Sequence, residues 1–292
     1  MFDIEREIAS QPEVWKRAAD LASNGDLPLP GRSDRVVALG CGTSWFVAQA
    51  YAARRAELGA EPTDAFTPTE LPTGRSYERA VAISRSGTTT EVVRIVERLA
   101  RDRVPTTAVT AVADSPLATA SDEVVALDFA DERSVVQTRF ATGALALFRA
   151  HLGEDLSDAI ADGRRSVEGA LPVDPSGSDH FVFLGHGWTV GLAHKAALKL
   201  REAAQATTES YPAMEYRHGP VSLTGPRSLV WILETPDATI ADDVAATGAT
   251  VRVADRDPMA ELILIQRMAV AIAVERGLDP DHPRHLTRSV ML

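Results

Sequence analysis

Short, mostly apolar runs alternate along the chain with longer segments in which apolar residues recur at helical spacing. Such runs are typical of strands buried on both faces of a parallel sheet, and the segments between them predict helices that cover those faces. We therefore expect an α/β fold with three layers. The predicted strands are 36–39, 64–67, 80–83, 106–110, 124–127, 181–184, 229–233 and 250–253; the predicted helices include 3–23 (broken at Gln11-Pro12), 45–58, 91–101, 131–150, 154–170, one from 190 onward and 259–276.

The pattern of the first half begins again in the second half. A strand followed by Gly-x-Gly and a helix occurs at 36–42 and returns at 181–187, an offset of 145 residues. This repeat predicts two related α/β subdomains. The expected boundaries are an N-terminal helix and connector at 1–34, a first subdomain at 35–150, a linker at 151–179, a second subdomain at 180–276 and a C-terminal tail at 277–292.

Composition narrows the class of protein. The net charge of −11 argues against general nucleic-acid binding, although it leaves room for a local anion site. Cys41 is the only cysteine, so an internal disulfide and a cysteine metal cluster are both excluded. No apolar run reaches the roughly 18 residues of a membrane span, and the N-terminus has no signal-peptide core. We expect a cytoplasmic protein.

Candidate acid–base groups cluster between residues 197 and 220. Lys199 and Glu202 are three residues apart on a predicted helix, and His218 follows in a segment that Tyr211-Pro212 separates from it. Only three of the 30 basic residues are lysine, and two of them lie on this helix. A carboxylate, an amine and an imidazole suit proton transfer on a small polar substrate. The alternative is a solvated helical face with a Lys199–Glu202 ion pair and an ordinary loop histidine.

Two loops that follow predicted strands are candidates for ligand binding. Five hydroxyl-bearing residues occur in the stretch Ser84-Arg-Ser-Gly-Thr-Thr-Thr90, just before a predicted helix. Hydroxyls at a helix N-terminus favour a phosphate monoester, whereas the spacing of Thr88 and Glu91 also fits a capping box. The other loop, Gly40-Cys-Gly-Thr-Ser44, lacks the third glycine of a dinucleotide fingerprint. It fits a simple turn as well as it fits a ligand site.

Taken together, four separated motifs resemble the sugar isomerase (SIS) domain family, and within it the isomerase half of glucosamine-6-phosphate synthases. They are 40–44, 84–89, the stretch from Lys199 to Pro220, and the tail 281–290. The resemblance implies two flavodoxin-like SIS subdomains, each with a five-stranded parallel sheet, and a phosphosugar substrate. It also implies a homodimer with a shared active site, and neither a cofactor nor a metal.

The resemblance also assigns roles to residues. Glu202 would move a proton between C1 and C2, and His218 would open the sugar ring from the neighbouring subunit. Lys199 would stabilise developing charge or assist amine transfer. The residues implied in binding the substrate or its phosphate are Thr43, Ser44, Ser84, Arg85 (through its backbone N–H), Ser86, Thr89, Gln137 and Arg288.

The chain departs from the family pattern in three places. Arg288 stands where the synthases have an imine-forming lysine, and arginine cannot form an imine. Cys41 is the only thiol, so we expect no glutaminase in this chain. The segment between Leu233 and Val251 is short, so the second sheet is expected to lack a strand. These features favour an amino-sugar-phosphate deaminase/isomerase. The alternatives are a ketosamine-6-phosphate deglycase and a non-catalytic phosphosugar sensor, although the presence of both Glu202 and His218 favours an enzyme.

Overall fold

The computed structural model describes all 292 residues, which form two compact units. The five-stranded unit comprises residues 13–133, 137–156 and 287–292, and the four-stranded unit comprises 1–12, 134–136 and 157–286. The strands are β1 (Val36–Gly40), β2 (Thr63–Phe66), β3 (Arg79–Ile83), β4 (Thr106–Thr110), β5 (Glu123–Ala126), β6 (His180–Gly185), β7 (Thr207–Pro212), β8 (Ser228–Ile232) and β9 (Thr250–Val253).

Ten α-helices connect and cover these strands, and none is both long and apolar enough to cross a membrane. They are α1 (Asp3–Ala9), α2 (Gln11–Asn24), α3 (Thr43–Glu57), α4 (Thr90–Arg101), α5 (Pro116–Ala120), α6 (Arg139–His151), α7 (Ser157–Glu168), α8 (Thr189–Ala204), α9 (Thr239–Ala245) and α10 (Pro258–Glu275).

Both sheets are entirely parallel and have the same strand order. In the five-stranded unit the order is β2-β1-β3-β4-β5, and in the four-stranded unit it is β7-β6-β8-β9, the same sequence of positions without the last strand. The order reverses between β1 and β3, and again between β6 and β8. In open α/β sheets, ligands bind outside the carboxyl ends of the strands at such a reversal. The predicted flavodoxin-like class and the missing strand are therefore confirmed.

The structure corrects the interpretation of the segment before His218. Tyr211-Pro212 was expected to end the helix of Lys199 and Glu202, but α8 ends at Ala204, Gln205 takes a left-handed conformation, and β7 follows. The sequence of β7, Thr-Thr-Glu-Ser-Tyr-Pro, has no apolar run because β7 is an edge strand and is only half-buried. Backbone pairing with β6 along its whole length holds β7 in the sheet, because its half-buried side chains form no apolar run. Helix α9 was also not predicted.

Close contact between strand and helix explains the repeated glycines. A Cβ on Gly40 would lie 2.6 Å from the backbone of Ser44, and a Cβ on Gly185 would lie 2.5 Å from the backbone of Thr189. Both glycines end a strand, and both contacts are made with the first turn of the following helix, α3 or α8. The repeat seen in the sequence thus reflects one turn geometry used twice.

A buried arginine holds the N-terminal connector of the five-stranded unit. Arg55 on α3 is fully buried, and its guanidinium donates hydrogen bonds to the carbonyls of Pro30, Gly31 and Asp34 at 2.8–3.2 Å. Residues 25–35 have no helix or strand of their own, so these bonds satisfy carbonyls that would otherwise need water.

We expect Gly40→Ala and Gly185→Ala each to lower the free energy of unfolding by about 1–3 kcal/mol, because the added methyl overlaps the next helix. Gly225→Ala is the matched control: its Cβ would meet nothing within 4 Å, so a change below about 0.5 kcal/mol is expected. Urea denaturation of the three variants measures the difference. Equal stability of all three would show that neither turn requires glycine.

Candidate active site

The loop after β1 presents two buried hydroxyl residues at the start of α3. Thr43 and Ser44 are 4% and 3% exposed, and neither side chain makes a hydrogen bond within the protein. Gly42 precedes them with a φ of +54°, which glycine adopts without cost, and no side chain caps the helix. Two buried hydroxyls at an uncapped helix N-terminus are suited to a polar ligand.

The loop after β3 lies beside it, because Gly40 pairs with Ile83 across the sheet. Ser84 Oγ accepts a hydrogen bond from the Gly87 N–H at 3.2 Å, and Ser86 Oγ accepts one from the Thr88 N–H at 3.2 Å. These bonds shape the loop into successive turns. Thr89, the N-cap residue of α4, has no such bond from its side chain.

The capping-box interpretation of this loop is wrong. The N-cap residue of α4 is Thr89 rather than Thr88, and no side chain caps the helix. The Thr88 hydroxyl lies instead within 3.0 Å of Ser86 Oγ and 2.9 Å of Ser289 Oγ. One carboxylate oxygen of Glu91 is buried without a hydrogen bond. With burial as the larger effect, Glu91 helps raise the pKa of the nearby Cys41 thiol to about 11, so Cys41 is not a thiolate nucleophile.

A buried carboxylate organises the segment that carries Gln137. Glu132 is 1% exposed; one of its oxygens accepts hydrogen bonds from the N–H groups of Thr138 and Arg139 and from the Thr138 hydroxyl, at 2.5–2.7 Å. Its other oxygen lies 3.5 Å from the guanidinium of the equally buried Arg85. Gln137 is half-buried, and its amide oxygen is buried without a hydrogen bond. That oxygen therefore has no partner within the protein.

The last residues of the chain cover the hydroxyl loop. Arg288 donates hydrogen bonds to the Asp131 carboxylate and the Glu132 carbonyl, while its own carbonyl accepts one from Arg85 at 3.1 Å. The Val290 carbonyl accepts from the Thr90 N–H at the start of α4 at 3.2 Å. The guanidinium of Arg288 therefore anchors the tail within the five-stranded unit.

In the four-stranded unit, Lys199 and Glu202 form an ion pair on α8. The Lys199 side chain is 2% exposed, whereas that of Glu202 is 18% exposed. A buried ammonium thus holds a carboxylate whose remaining surface faces a cavity of about 440 Å³. This arrangement differs from a solvated helical face, since a long lysine side chain is rarely buried unless it is paired.

His218 is exposed at the end of a short 3-10 helix, Ala213–His218. The preceding Arg217 fixes this helix to α9: its guanidinium donates to Asp243 at 2.7 Å, to Asp237 at 2.9 Å and to Thr239 at 2.7 Å. Hydrogen bonds from the Thr239 hydroxyl and N–H, and then from Arg217, lower the pKa of Asp237 to about 2. Asp237 therefore stays ionised, and paired with Arg217, at any ordinary assay pH.

The predicted residues divide between the two units. Thr43, Ser44, Ser84, Arg85, Ser86, Thr89, Gln137 and Arg288 lie in the five-stranded unit, and Lys199, Glu202 and His218 lie in the four-stranded unit. Sequence reasoning missed Glu132 and Arg217, because a charged residue in a loop gives no signal of burial or of its distant partners. For the predicted residues, the roles in ligand binding and catalysis stay predictions.

Comparison with known proteins finds a matching family model and several relatives. Residues 32–150 match the SIS domain family. The glutamine–fructose-6-phosphate aminotransferase (isomerizing) of Sulfurisphaera tokodaii is 27% identical over 98% of this chain and 56% of its own length. For the same enzyme of Pyrobaculum aerophilum the identity is 28%, over 72% of this chain and 43% of its own length. The chain thus spans about half the length of the curated relatives it matches.

Solved structures confirm the fold over the whole chain. Glucosamine-6-phosphate deaminase from Thermotoga maritima superposes with a TM-score of 0.85 at 25% identity, covering 99% of this chain and 100% of its own. The C-terminal domain of glucosamine-fructose-6-phosphate aminotransferase from Francisella tularensis gives a TM-score of 0.80 at 21% identity, covering 97% and 98%. The resemblance stated from the four motifs is therefore confirmed, and the two units have the fold of two SIS subdomains.

We expect Glu132→Gln to lower the free energy of unfolding by about 3 kcal/mol. The carboxylate is surrounded by donors on both oxygens, so an amide NH₂ would have to face either Arg85 or the Thr138 and Arg139 N–H groups. Glu97→Gln, on the exposed face of α4, is the control and should change stability by less than about 0.5 kcal/mol. Chemical denaturation compares them, and similar midpoints for both would contradict the role given to Glu132.

Proposed function

We propose that this protein is a phosphosugar isomerase that cleaves the C–N bond of an aminated hexose 6-phosphate while moving a proton between C1 and C2. The match of residues 32–150 to the SIS domain family supports the phosphosugar class. The end-to-end likeness to the Thermotoga maritima deaminase, at 25% identity, supports the deaminase/isomerase reaction, with ammonia as the leaving group.

The observation that carries the proposal is the Lys199–Glu202 pair. Isomerisation through an enediol or enolamine needs one base that can remove a proton from one carbon and return it to the next. Glu202 is held by a buried ammonium on a rigid helix and still has surface open to a cavity. Lys199 is positioned to stabilise the negative charge that develops on the substrate oxygen or nitrogen.

The hydroxyl loop is our proposed phosphate site. Ser84, Ser86 and Thr89, together with the N–H of Arg85, stand at the carboxyl edge of the sheet where its strand order reverses. Thr43 and Ser44 and the amide oxygen of Gln137 are polar groups without protein partners, which suits them to sugar hydroxyls. Binding by hydroxyls and N–H groups holds a phosphate dianion without requiring a cluster of basic side chains.

Ring opening is assigned to His218, acting from a neighbouring copy of the chain. The histidine is exposed, and its loop is braced by Arg217 against α9 rather than being left loose. A rigid, exposed imidazole is suited to reach a substrate bound by another subunit.

Arg288 is proposed as a tail anchor, in addition to its predicted contact with the substrate. Its guanidinium is engaged by Asp131 and by the Glu132 carbonyl, and arginine forms no imine. The proposed reaction therefore proceeds without a covalent link at this position.

A second candidate activity is deglycation of a ketosamine 6-phosphate. It uses the same proton transfer between C1 and C2, but the leaving group is a substituted amine rather than ammonia. The cavity of about 440 Å³ beside Glu202 supports this candidate, because a substituted amine needs such space whereas ammonia needs little.

We expect Glu202→Gln to lower turnover of the aminated hexose 6-phosphate by about 10²–10⁴-fold, because the amide cannot accept the proton. Substrate binding should survive, since glutamine can still accept a hydrogen bond from Lys199. Enzymatic detection of released ammonia and a thermal-shift titration with glucosamine 6-phosphate measure the two effects. Glu168→Gln, at the exposed end of α7, serves as the control. Turnover that persists in Glu202→Gln would rule out this residue as the base.

A site shared between two subunits predicts complementation. Inactive Glu202→Gln and His218→Ala chains, when mixed and allowed to exchange, should recover about a quarter of the wild-type activity. Half of the dimers are then mixed, and each mixed dimer has one intact site out of two. Light scattering verifies the dimer and native mass spectrometry the exchange. Absence of recovery in an exchanged sample would place Glu202 and His218 of one chain in the same site.

A further inference from the structure

A largely apolar cavity of about 580 Å³ lies in the four-stranded unit, away from the residues that the proposed function uses. Helices α1 and α10 and the end of α7 form its walls. All but three of its lining residues are aliphatic and none is aromatic; the aliphatic ones include Ile8, Val167, Leu171, Val270, Ala271 and Val274. Cavities of roughly 300–1,000 Å³ with apolar walls and a few fixed polar groups are typical of binding sites for small molecules.

The only cation that lines this cavity is Arg267, and its guanidinium is held in place. Its Nη1 donates hydrogen bonds to the Ser166 carbonyl at 2.5 Å and to the Gly169 carbonyl at 2.7 Å, at the end of α7. Arginine can cap the last carbonyls of a helix in this way. Capping accounts for one nitrogen only, since Nε and Nη2 make no hydrogen bond within the protein and neither is closed off from solvent.

The charge of Arg267 has no acidic counterpart. It makes no ion pair, and burial and then the nearby charge of Arg256 lower its pKa. Glu5 and Glu275 also line the cavity, but Glu5 accepts a hydrogen bond from the Phe2 N–H at 2.7 Å, and Glu275 is exposed at the end of α10. A fixed cation beside aliphatic walls is complementary to a molecule with an aliphatic body and an anionic end.

We propose that this cavity binds a medium-chain fatty acid, with its alkyl chain against α1 and α10 and its carboxylate on Arg267. The free Nε and Nη2 groups form one edge of the guanidinium, and such an edge donates to both oxygens of a carboxylate. The lining favours an alkyl chain over a ring, because it offers no aromatic side chain for stacking. The site is additional to the proposed function, which involves none of these residues.

The size of the cavity sets the length of the chain. Ten carbons occupy roughly 300 Å³ if each is counted at about the 30 Å³ of a water molecule. A ten-carbon acid therefore fits within the cavity of about 580 Å³ and leaves room for its carboxylate.

Calorimetric titration of the full chain with decanoate, decan-1-ol and acetate tests the proposal. Decanol keeps the chain without the charge, and acetate keeps the charge without the chain. We expect one saturable site for decanoate, with a Kd about tenfold below that for decanol, and no saturable binding of acetate. Affinity should rise about threefold to fourfold per methylene from hexanoate to decanoate. Equal Kd values for decanoate and decanol would overturn the proposal.

Variants assign the binding to the cavity. Ala271→Phe fills the cavity without touching the arginine and should weaken decanoate binding at least about tenfold. Arg267→Lys keeps a charge that can cap α7 but has no guanidinium edge, so it should reduce the preference for decanoate over decanol. Ala100→Phe, on the exposed face of α4, is the matched control and should bind decanoate as the wild type does. Wild-type Kd values for Ala271→Phe and Arg267→Lys would show that decanoate binds elsewhere.

Two other occupants of the same walls give different results. Co-sedimentation with vesicles of phosphatidylcholine and phosphatidylglycerol detects a lipid surface, and light scattering of Ala271→Phe detects a second copy of the chain. Binding to vesicles without binding of decanoate would assign the walls to a membrane surface. A dimer that is lost in Ala271→Phe would assign them to a subunit contact. We expect neither result, and either one would overturn the proposal.

Discussion

The buried carboxylate of Glu132 is the interaction on which the candidate ligand site of the five-stranded unit depends. A charge without water needs compensation from every side, and here it comes from two N–H groups, a hydroxyl and the guanidinium of Arg85. Arg85 in turn binds the carbonyl of Arg288, whose side chain returns to Asp131 and Glu132. One buried charge thus connects the loop after β3, the segment of Gln137 and the end of the chain.

The four-stranded unit also holds charged side chains in fixed positions, but with different residues. Its two polar interactions are the Lys199–Glu202 ion pair and the hydrogen-bonded ion pairs of Arg217 with Asp237 and Asp243. The first keeps a carboxylate oriented while leaving it partly open. The second keeps an exposed loop in place, because the planar guanidinium binds Thr239 and Asp243 of α9 and Asp237 just before it.

The two halves of the internal repeat share one architecture but carry different polar residues in their loops. The strand order and the glycine contact at the end of the first strand are the same in both units. The loops at the point where the strand order reverses are not: Ser84, Ser86 and Thr89 follow β3, whereas Glu234 and Asp237 follow β8. Hydroxyls and N–H groups attract an anion, and carboxylates repel one. The phosphate site we propose therefore belongs to one half of the repeat only.

The sequence by itself determined the α/β class, nearly all strands, the repeat and the missing strand, because these depend on local apolar patterning and on glycine positions such as Gly40 and Gly185. It also supplied four motifs that, in order, indicate the SIS family. Tertiary structure alone decided the rest. Strand β7 exists because β6 pairs with it, and Thr88 serves the tail rather than a helix cap. Likewise, the burial of Glu132 and of Lys199 and the carbonyl partners of Arg267 depend on residues far away in the chain, which no local pattern records.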